Sequence, residues 1–237
     1  MILELKEVNA FYGESHILFD VALEVEEGNS VCILGRNGVG KSTTMKSIAG
    51  QINARNKCHV EGSILFSGTE LVGMPAYKIS RKGMAYVPQG RHIFPNLTVK
   101  ENLQIAEPKT KTDRKEWTLE SIYKLFPRLE ERSNSWGRNL SGGEQQMLTI
   151  ARGLMQNPTL LILDEITEGL APIVVKQLVQ TLNELREHSV TILLAEQNVH
   201  FALAVSTKCY IMEKGNIVYS GSSDNVPTEV MNKYLGA

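Results

Sequence analysis

The chain has 237 residues, with 25 basic and 26 acidic side chains and a formal net charge of −1. This length can bury a substantial apolar core, in one large domain or in a core that carries an inserted subdomain. The balanced charge gives no support to nucleic acid or to an anionic membrane surface as a partner.

Two further compositional features limit the class of protein. Cys32, Cys58 and Cys209 are odd in number and show no CxxC or Cys/His spacing. We therefore expect reduced thiols, in packing or surface roles, in a cytosolic protein. No apolar run approaches the roughly 18 residues of a membrane span, and the N-terminus lacks a signal-like leader. Any link to a membrane should therefore go through another protein.

The predicted elements alternate between strands and helices along most of the chain. The first 30 residues and residues 58–72 predict antiparallel strands, with turns at Gly28 and Gly68. Helical patterns follow GVG, LSGG and Ala171, and Pro172 suits the first turn of the third helix. Short runs rich in Val, Ile and Leu predict buried strands, so we expect an α/β fold with a mostly parallel sheet. The helical patterns cover residues 41–49, 143–156 and 172–187, and the apolar runs cover 31–34, 63–66, 84–87, 160–164, 190–195, 209–212 and 217–220.

The alternation is interrupted between residues 107 and 139. Two polar segments, residues 107–117 and 130–139, occupy this stretch. We therefore expect a mostly helical subdomain over about 90–155, inserted into a catalytic core of about 1–89 and 156–237. The core also carries the antiparallel β subdomain.

The sequence GRNGVGKS, residues 35–42, fits G-x-x-x-x-G-K-[ST] and lies between a predicted strand and a predicted helix. Its glycines let backbone N–H groups approach phosphate oxygens, and the helix N-terminus adds partial positive charge. The lysine can reach the β and γ phosphates, and the serine can bind Mg²⁺. A glycine-rich turn without a ligand is the alternative interpretation. The motif predicts a P-loop NTPase core with nucleotide-binding residues Gly35, Arg36, Asn37, Gly38, Val39, Gly40, Lys41, Ser42 and Thr43.

A second motif, LLILDE at residues 160–165, is an apolar strand that ends in two acids. Such a strand end is unfavourable unless a cation lies nearby. Asp164 is therefore expected at the metal, and Glu165 is expected beside the attacking water as a general base or positioning group. A carboxylate that caps the next helix is the simpler alternative.

A third motif, LSGGEQQ at residues 140–146, predicts a second anion site. Ser141, Gly142 and Gly143 precede a predicted helix and offer a hydroxyl and backbone N–H groups to a phosphate. Because the P-loop already surrounds one side of the nucleotide, this site suits the γ-phosphate bound by another subunit across a two-fold interface. An ordinary serine N-cap followed by a glycine turn is the alternative.

With these three motifs the chain resembles the ATP-binding subunits of ABC transporters over essentially its whole length. The resemblance implies ATP and Mg²⁺ as ligands, with Ser42, Gln89 and Asp164 at the metal. It also implies that Tyr12 in FYG stacks on adenine and that Gln89 in VPQGR, like Glu165, takes part in catalysis. Without the resemblance, Tyr12 reads as a packed aromatic and Gln89 as a surface residue.

Three segments resemble importer ATPases for branched-chain amino acids, amides and urea: PQGRHIFPNLTVKENL at 88–103, ITEGLAP at 166–172 and AEQN at 195–198. Two residues depart from the broader family pattern. Ala171 stands where that loop commonly ends in Asp, which puts its contact across the dimer in doubt. Ile166 replaces a common proline, from which we expect a looser turn.

The family's switch histidine aligns with Gln197, and His200 follows three residues later. The resemblance implies that Gln197 is the catalytic residue at the γ-phosphate. A glutamine amide can donate a hydrogen bond to phosphate, but it cannot titrate as a histidine does. His200 lies in the predicted first turn of a helix, so the two side chains could share a face. The other histidines are expected to be solvated or to pack.

The resemblance implies a working unit with several partners. The chain would pair head to tail with a second ATPase subunit, a copy or a paralogue, at the cytoplasmic face of the inner membrane. It would drive separate transmembrane permease subunits, to which a substrate-binding protein supplies branched-chain or other hydrophobic amino acids. The expected docking surface for the permease is the apolar loop of Ile93, Phe94, Pro95 and Leu97.

Three other functions fit parts of the sequence. A urea or short-chain amide importer would use the same ATPase motifs. Gln197 and Ala171 leave room for a weakly hydrolysing regulatory subunit. The presence of the catalytic and metal-binding residues argues against it: Lys41, Ser42, Asp164 and Glu165. A soluble ATPase that acts on DNA breaks or ribosomes would need basic, duplicated or coiled-coil segments, which the sequence lacks.

Overall fold

The computed structural model describes residues 1–52, 57–107 and 117–236. Within this part of the chain the strands form one four-stranded sheet and one six-stranded sheet. Most of the polar segment expected at 107–117 lies outside the described residues.

The four-stranded sheet is antiparallel and comes from the N-terminal region. β1 (Leu3–Tyr12) pairs with β2 (Ser15–Val25) on one side and with β4 (Cys58–Phe66) on the other, and β4 pairs with β5 (Thr69–Glu70). Gly28 and Gly68 lie in turns with φ values of 79° and 74°. The predicted antiparallel strands and both turns are therefore confirmed.

The six-stranded sheet is mostly parallel, as predicted. Its order is β10–β9–β3–β8–β7–β6; every neighbouring pair is parallel except β10 and β9, which are antiparallel. Each strand contains an apolar run predicted from the sequence. The strands are β3 (Ser30–Leu34), β6 (Met84–Val87), β7 (Leu160–Asp164), β8 (Thr191–Glu196), β9 (Lys208–Glu213) and β10 (Asn216–Ser222).

Helices follow or connect these strands. The predicted helices correspond to α1, α6 and α7, and α7 has Pro172 at its first position. Helices α3 to α6 lie in the stretch expected to form the helical insert, and its division from the core remains a prediction. The helices are α1 (Lys41–Ile48), α2 (Ala76–Arg81), α3 (Val99–Gln104), α4 (Leu119–Leu125), α5 (Pro127–Glu131), α6 (Gly142–Leu154), α7 (Pro172–Glu187), α8 (Val199–Val205) and α9 (Thr228–Tyr234).

The parallel strands of this sheet are buried on both faces, whereas the antiparallel edge strand β10 is not. Successive side chains of β3 alternate between two hydrophobic clusters: Cys32 and Leu34 face α6, α7 and α8, whereas Val31 and Ile33 face α1 and the antiparallel sheet. This two-sided burial explains why its strands are continuously apolar rather than alternating in polarity. Every helix in the described part of the chain is too short or too polar to cross a membrane.

The order of the parallel strands determines where the polar residues meet. Strands β3, β8, β7 and β6 are neighbours, so their carboxyl ends lie along one edge of the sheet. The P-loop follows β3, the two acids end β7, and Gln89 follows β6 shortly after its end. Ligands of open α/β sheets bind at this edge.

Candidate active site

Glycines allow the loop after β3 to pack closely against its surroundings. A Cβ atom on Gly35 would lie 2.6 Å from the carbonyl oxygen of Met212, and one on Gly40 would lie 2.8 Å from Leu18 Cδ2. Gly40 also has a φ of 114°, a value that is unfavourable for residues other than glycine. It immediately precedes Lys41 at the start of α1. The loop therefore holds its shape because these positions lack side chains.

Lys41 is buried at the centre of this loop, with only 3% of its surface exposed. Its Nζ donates hydrogen bonds to the carbonyl oxygens of Gly35 (2.8 Å) and Arg36 (3.0 Å), and it lies 3.0 Å from Glu165 Oε1. Its charge is thus compensated by oxygen acceptors at short range. Phosphate oxygens can replace these acceptors, because they too accept hydrogen bonds from an ammonium group.

Asp164 is held at the end of β7 by two hydroxyl groups. Ser42 Oγ donates to Asp164 Oδ1 over 2.9 Å, and the Tyr86 hydroxyl donates to Oδ2 over 3.0 Å. Burial raises the pKa of Asp164, although both hydrogen bonds oppose the rise. Burial, with the nearby Asp164 charge, likewise raises the pKa of Tyr86. Sequence reasoning missed Tyr86, whose only signal is a hydroxyl in an otherwise apolar strand.

Glu165 connects the P-loop to the glutamine that follows β6. One carboxylate oxygen contacts Lys41, and the other accepts a 3.0 Å hydrogen bond from Gln89 Nε2. Gln89 Nε2 also donates to Glu168 Oε2 over 2.7 Å. Glu165 therefore lies between the lysine that can neutralise phosphate and the amide proposed to lie near the metal.

The turn after the two acids is held by core packing and by a backbone hydrogen bond, and the looser turn expected from Ile166 remains a prediction. Ile166 is only 1% exposed and packs in the hydrophobic cluster on the helical side of the sheet. The backbone N–H of Glu165 donates to the carbonyl oxygen of Ala195 over 2.8 Å. Glu165 has a φ of 46°, a conformation that costs a non-glycine residue about 1–2 kcal/mol and is retained here by these contacts.

Glu165 lines two cavities beside the P-loop. One, of about 120 Å³, lies along the P-loop and is lined by Lys41 and Ser42. The other, of about 260 Å³, lies between the P-loop and the ends of β7 and β8. His200 is an exposed residue of α8, one turn beyond Gln197. The larger cavity is lined by Asn37, Glu165, Thr167, Glu168, Glu196, Gln197 and Asn198.

Glu196, a second residue that sequence reasoning missed, connects Gln197 to the loop after Glu165. It is only 1% exposed, and its carboxylate accepts hydrogen bonds from the Thr167 N–H (3.0 Å) and hydroxyl (2.8 Å). Burial raises the pKa of Glu196, and these bonds, with backbone donors at Gln197 and Asn198, oppose that rise. The sequence did contain a signal for Glu196, because LLAE repeats the pattern of an apolar strand that ends in an acid.

Ser141 is the N-cap of α6. Its hydroxyl accepts a hydrogen bond from the Glu144 N–H (3.3 Å), and Glu144 Oε2 accepts one from the Ser141 N–H (2.8 Å). The serine N-cap, which was the alternative interpretation of this motif, is therefore present in the structure. It leaves the hydroxyl hydrogen of Ser141 able to bind phosphate. A Cβ on Gly143 would lie 2.9 Å from Val174, so α6 and α7 approach closely there.

Tyr12 ends β1 with 38% of its surface exposed, and its contact with adenine remains a prediction. The neighbouring Phe11 ring is stacked between His16 and His59, with centroid distances of 4.2 and 4.4 Å. Both histidines therefore pack, as expected.

The remaining predicted residues of the P-loop differ in exposure. Arg36, Asn37 and Gly38 are exposed, while Val39, Ser42 and Thr43 are half-buried.

The expected docking loop is only partly as predicted. Phe94 is 43% exposed, but Ile93 packs partly against the core and contributes less to the surface. Trp136 is 44% exposed and forms an isolated β-bridge with Thr98, so it adds a second aromatic ring near this loop. The pairing of residues 98 and 136 could not be foreseen from the sequence.

Asn102, a further residue that sequence reasoning missed, holds this loop from beneath. It is fully buried in α3, and its Oδ1 accepts a 2.8 Å hydrogen bond from the Phe94 N–H. Its Nδ2 donates to the carbonyl oxygens of Phe94 (2.9 Å), Leu97 (3.2 Å) and Thr98 (3.0 Å). The loop is therefore fixed to α3 at both of its ends.

A buried lysine beside a glutamate, with a serine bonded to an aspartate at the carboxyl edge of a parallel sheet, defines a P-loop nucleoside triphosphatase. A family model described as ABC transporter matches residues 18–168. The chain therefore belongs to the ABC transporter family and is an ABC-type ATPase.

Two relatives match over nearly the whole chain. The high-affinity branched-chain amino acid transport ATP-binding protein BraG of Pseudomonas aeruginosa is 41% identical, covering 99% of this chain and 100% of its own length. The probable branched-chain amino acid transport ATP-binding protein LivF of Archaeoglobus fulgidus is 34% identical, covering 95% and 94%. A crystal structure of the ADP conformation of an ABC transporter ATP-binding cassette superposes with a TM-score of 0.78 at 25% identity, covering 99% and 94%.

Proposed function

We propose that this chain is the ATP-hydrolysing subunit of an importer for branched-chain or other hydrophobic amino acids. Both relatives named above carry branched-chain amino acid transport in their names, and each aligns over nearly its full length. Transmembrane permease subunits, a second ATPase subunit and, indirectly, a substrate-binding protein are the partners. The chain then works at the cytoplasmic face of the inner membrane.

The position of Glu165 carries the ATP-hydrolysing part of this proposal. Its carboxylate lies 3.0 Å from the ammonium of Lys41 and within hydrogen-bond distance of Gln89, and it lines both cavities beside the P-loop. There it can accept a proton from water that attacks the γ-phosphate, while Lys41 stabilises the charge that develops on phosphate oxygens. The amide of Gln197, which lines the same cavity, can donate a further hydrogen bond.

The residues around Asp164 fit a magnesium ion. The Ser42 hydroxyl, the Asp164 carboxylate and the Gln89 amide oxygen are hard oxygen donors of the kind that Mg²⁺ prefers. Bound there with the nucleotide, the ion would neutralise charge on the β and γ phosphates. Tyr86 would keep Asp164 oriented through its 3.0 Å hydrogen bond.

The second ATPase subunit completes the site. The N-terminal end of α6, with Ser141 at its cap, presents a hydroxyl and helix N–H groups to a phosphate bound by the partner. ATP binding then favours closure of the pair and hydrolysis favours reopening. The permease docks at Phe94, Pro95 and Trp136, which are exposed apolar residues on the helical side.

The Glu165→Gln variant tests the enzymatic part of the proposal. The amide keeps the shape of the side chain but cannot accept a proton, so single-turnover ATP hydrolysis should nearly cease while ATP still binds. Glu168→Gln is the matched control, because that carboxylate also accepts from Gln89 but does not contact Lys41. Equal turnover by Glu165→Gln and the parent would refute the base role.

Isolation of the complex tests the transport part. The chain should co-purify with a permease, and the associated binding protein should bind leucine, isoleucine or valine in a calorimetric screen. Binding of urea or a short amide instead would keep the ATPase function and replace the proposed solute. Hydrolysis that is unchanged by the permease would contradict the importer function.

A further inference from the structure

We propose that Arg91 is a positioning residue that ties the permease-docking loop to the loop after Glu165. Through it, a shift of the docking loop changes the geometry of the hydrolysis site. The inference deepens the proposed function and rests on it for the identity of the docking partner. Arg91 was no candidate in the sequence, where it is one basic residue in an exposed-looking loop.

The contacts of Arg91 cross between two loops that are far apart in the chain. Its Nη2 donates hydrogen bonds to the carbonyl oxygens of Gly169 (2.9 Å) and Glu168 (3.3 Å). These two carbonyls lie three and four residues after Glu165. Both bonds come from one terminal nitrogen, whose two N–H groups can each donate to one carbonyl oxygen.

The same guanidinium lies against the first turn of α6. A Cβ built on Gly142 would lie 2.5 Å from Arg91 Nη1, and one on Gly169 would lie 3.2 Å from Nη2. Glycine at both positions therefore leaves the space that Arg91 fills. One side chain thus touches the loop after Glu165 and the helix end proposed to serve the partner's phosphate.

The backbone directs Arg91 into this place. Gly90 and Arg91 have φ values of 102° and 53°, so two successive residues adopt the left-handed region. For a residue with a side chain this conformation is unfavourable, and it persists where surrounding contacts hold it. The hydrogen bonds to the carbonyls of residues 168 and 169 are such contacts. Both carbonyls belong to the loop of residues 166–171, which we call the D-loop.

The docking loop begins at Ile93, two residues after Arg91 in the chain. Asn102 bonds to the backbone of Phe94, Leu97 and Thr98, so residues 94–98 are fixed to α3 and should move with it. Two residues separate Phe94 from Arg91. Movement of α3 by a permease therefore pulls on Arg91 through a very short segment.

A second side-chain donor lines a cavity beside the D-loop. Gln146 of α6, Arg91 and Gly169 line one cavity of about 370 Å³ together with Glu165. Gln146 is 3% exposed, and among the described residues its Nε2 has no hydrogen-bond partner. The Gln146 amide is therefore an available donor, in the cavity that Gly169 also lines, for a D-loop carbonyl that Arg91 releases.

The test compares Arg91→Ala and Arg91→Lys with Arg81→Ala. Arg81 is an exposed arginine of α2 whose guanidinium contacts only the ring of Tyr77, 5.7 Å from its centroid, among the contacts described. Hydrogen–deuterium exchange on the isolated chain without nucleotide measures the D-loop amides directly. Arg91→Ala should speed their exchange about 5-fold or more and leave α1 unchanged, because only the D-loop loses its anchor.

Steady-state ATP turnover separates positioning from binding. Arg91→Ala should lower kcat about 10-fold with KM for ATP within about 2-fold, since no contact to the P-loop changes. Arg91→Lys should recover part of kcat, because the ammonium keeps the charge and can still donate hydrogen bonds but lacks the planar guanidinium that packs against Gly142. In the complex purified with its permease, stimulation of turnover over the isolated chain should fall about 5-fold. Arg81→Ala should match the parent in every measurement.

Unchanged exchange of the D-loop in Arg91→Ala would overturn the proposal, as would a rise in KM at constant kcat. An equal loss in Arg81→Ala would overturn it too. The lysine variant retains the charge and stem of the side chain, so its exchange and turnover decide the question if the alanine variant unfolds. The exchange measurement needs no hydrolysis, so it still tests the anchor if Glu165→Gln turns over ATP and the proposed catalytic role fails.

Discussion

Replacement of Asn102 by alanine removes the hydrogen bonds that fix the docking loop to α3. The side chain makes four hydrogen bonds between 2.8 and 3.2 Å, and all of its surface is buried. Because Nδ2 has two hydrogens for its three acceptors, these contacts amount to about three full hydrogen bonds, and at about 1 kcal/mol net each their loss costs about 3 kcal/mol. Alanine in place of asparagine inside a helix returns about 0.6 kcal/mol. We expect a net decrease of about 2 kcal/mol in the free energy of unfolding.

Two further variants make this prediction specific. Asn102→Asp keeps an acceptor for the Phe94 N–H, but it places a buried charge against three carbonyl oxygens and should destabilise at least as much. Asn96→Ala is the matched control in the same loop, because Asn96 is exposed and accepts only a 3.3 Å bond from Arg138 among the described contacts. Its effect should stay within about 0.5 kcal/mol.

Equilibrium unfolding in urea measures all three variants. The midpoint should fall for both Asn102 variants while the slope stays constant, which reports a change in stability rather than in the unfolded state. A loss below about 1 kcal/mol in Asn102→Ala would refute the reasoning, because water would then satisfy the loop as well as the side chain does. A milder effect of Asn102→Asp than of Asn102→Ala would refute the assigned direction of the bonds.

The remaining predictions concern the catalytic edge of the sheet. Gln197→Ala should lower ATP turnover about 100-fold and His200→Ala should change it little; a loss in His200→Ala alone would move the phosphate contact to that histidine. Lys41→Ala should weaken ATP binding by the monomer. Ser141→Ala should impair dimer closure and turnover while the monomer still binds ATP. Equal losses of ATP affinity in the two variants would contradict a contact between Ser141 and the phosphate bound by the partner subunit. Burial raises the pKa of Glu196, so its contribution to stability falls as pH rises above its ordinary 4.5 and through the raised value. In urea unfolding, the free energy of unfolding of Glu196→Gln relative to the parent should therefore increase as pH rises through this range. A difference that does not change with pH would show that the charge of the buried carboxylate is fully compensated.

The sequence by itself determined the chemistry that depends on neighbours in the chain. The P-loop is a continuous segment whose glycines and lysine are fixed by one turn and one helix start, so residues 35–43 were identifiable from spacing alone. Pro172 begins α7 as predicted, because a proline lacks only a donor that the first turn does not use. The buried strands were equally evident, since two-sided burial leaves a continuous apolar run.

Only the tertiary structure decided which distant side chains become partners. Glu196 bonds to Thr167 across 29 positions, Arg91 to Gly169 across 78, and Ser42 to Asp164 across 122. Of these, only the last was anticipated, because both of its members belong to motifs that act on one metal. The others depend on the strand order, which places the ends of β6, β7 and β8 side by side. Side-chain hydrogen bonds form over about 3 Å, so they are fixed by this packing and leave no periodic trace in the sequence.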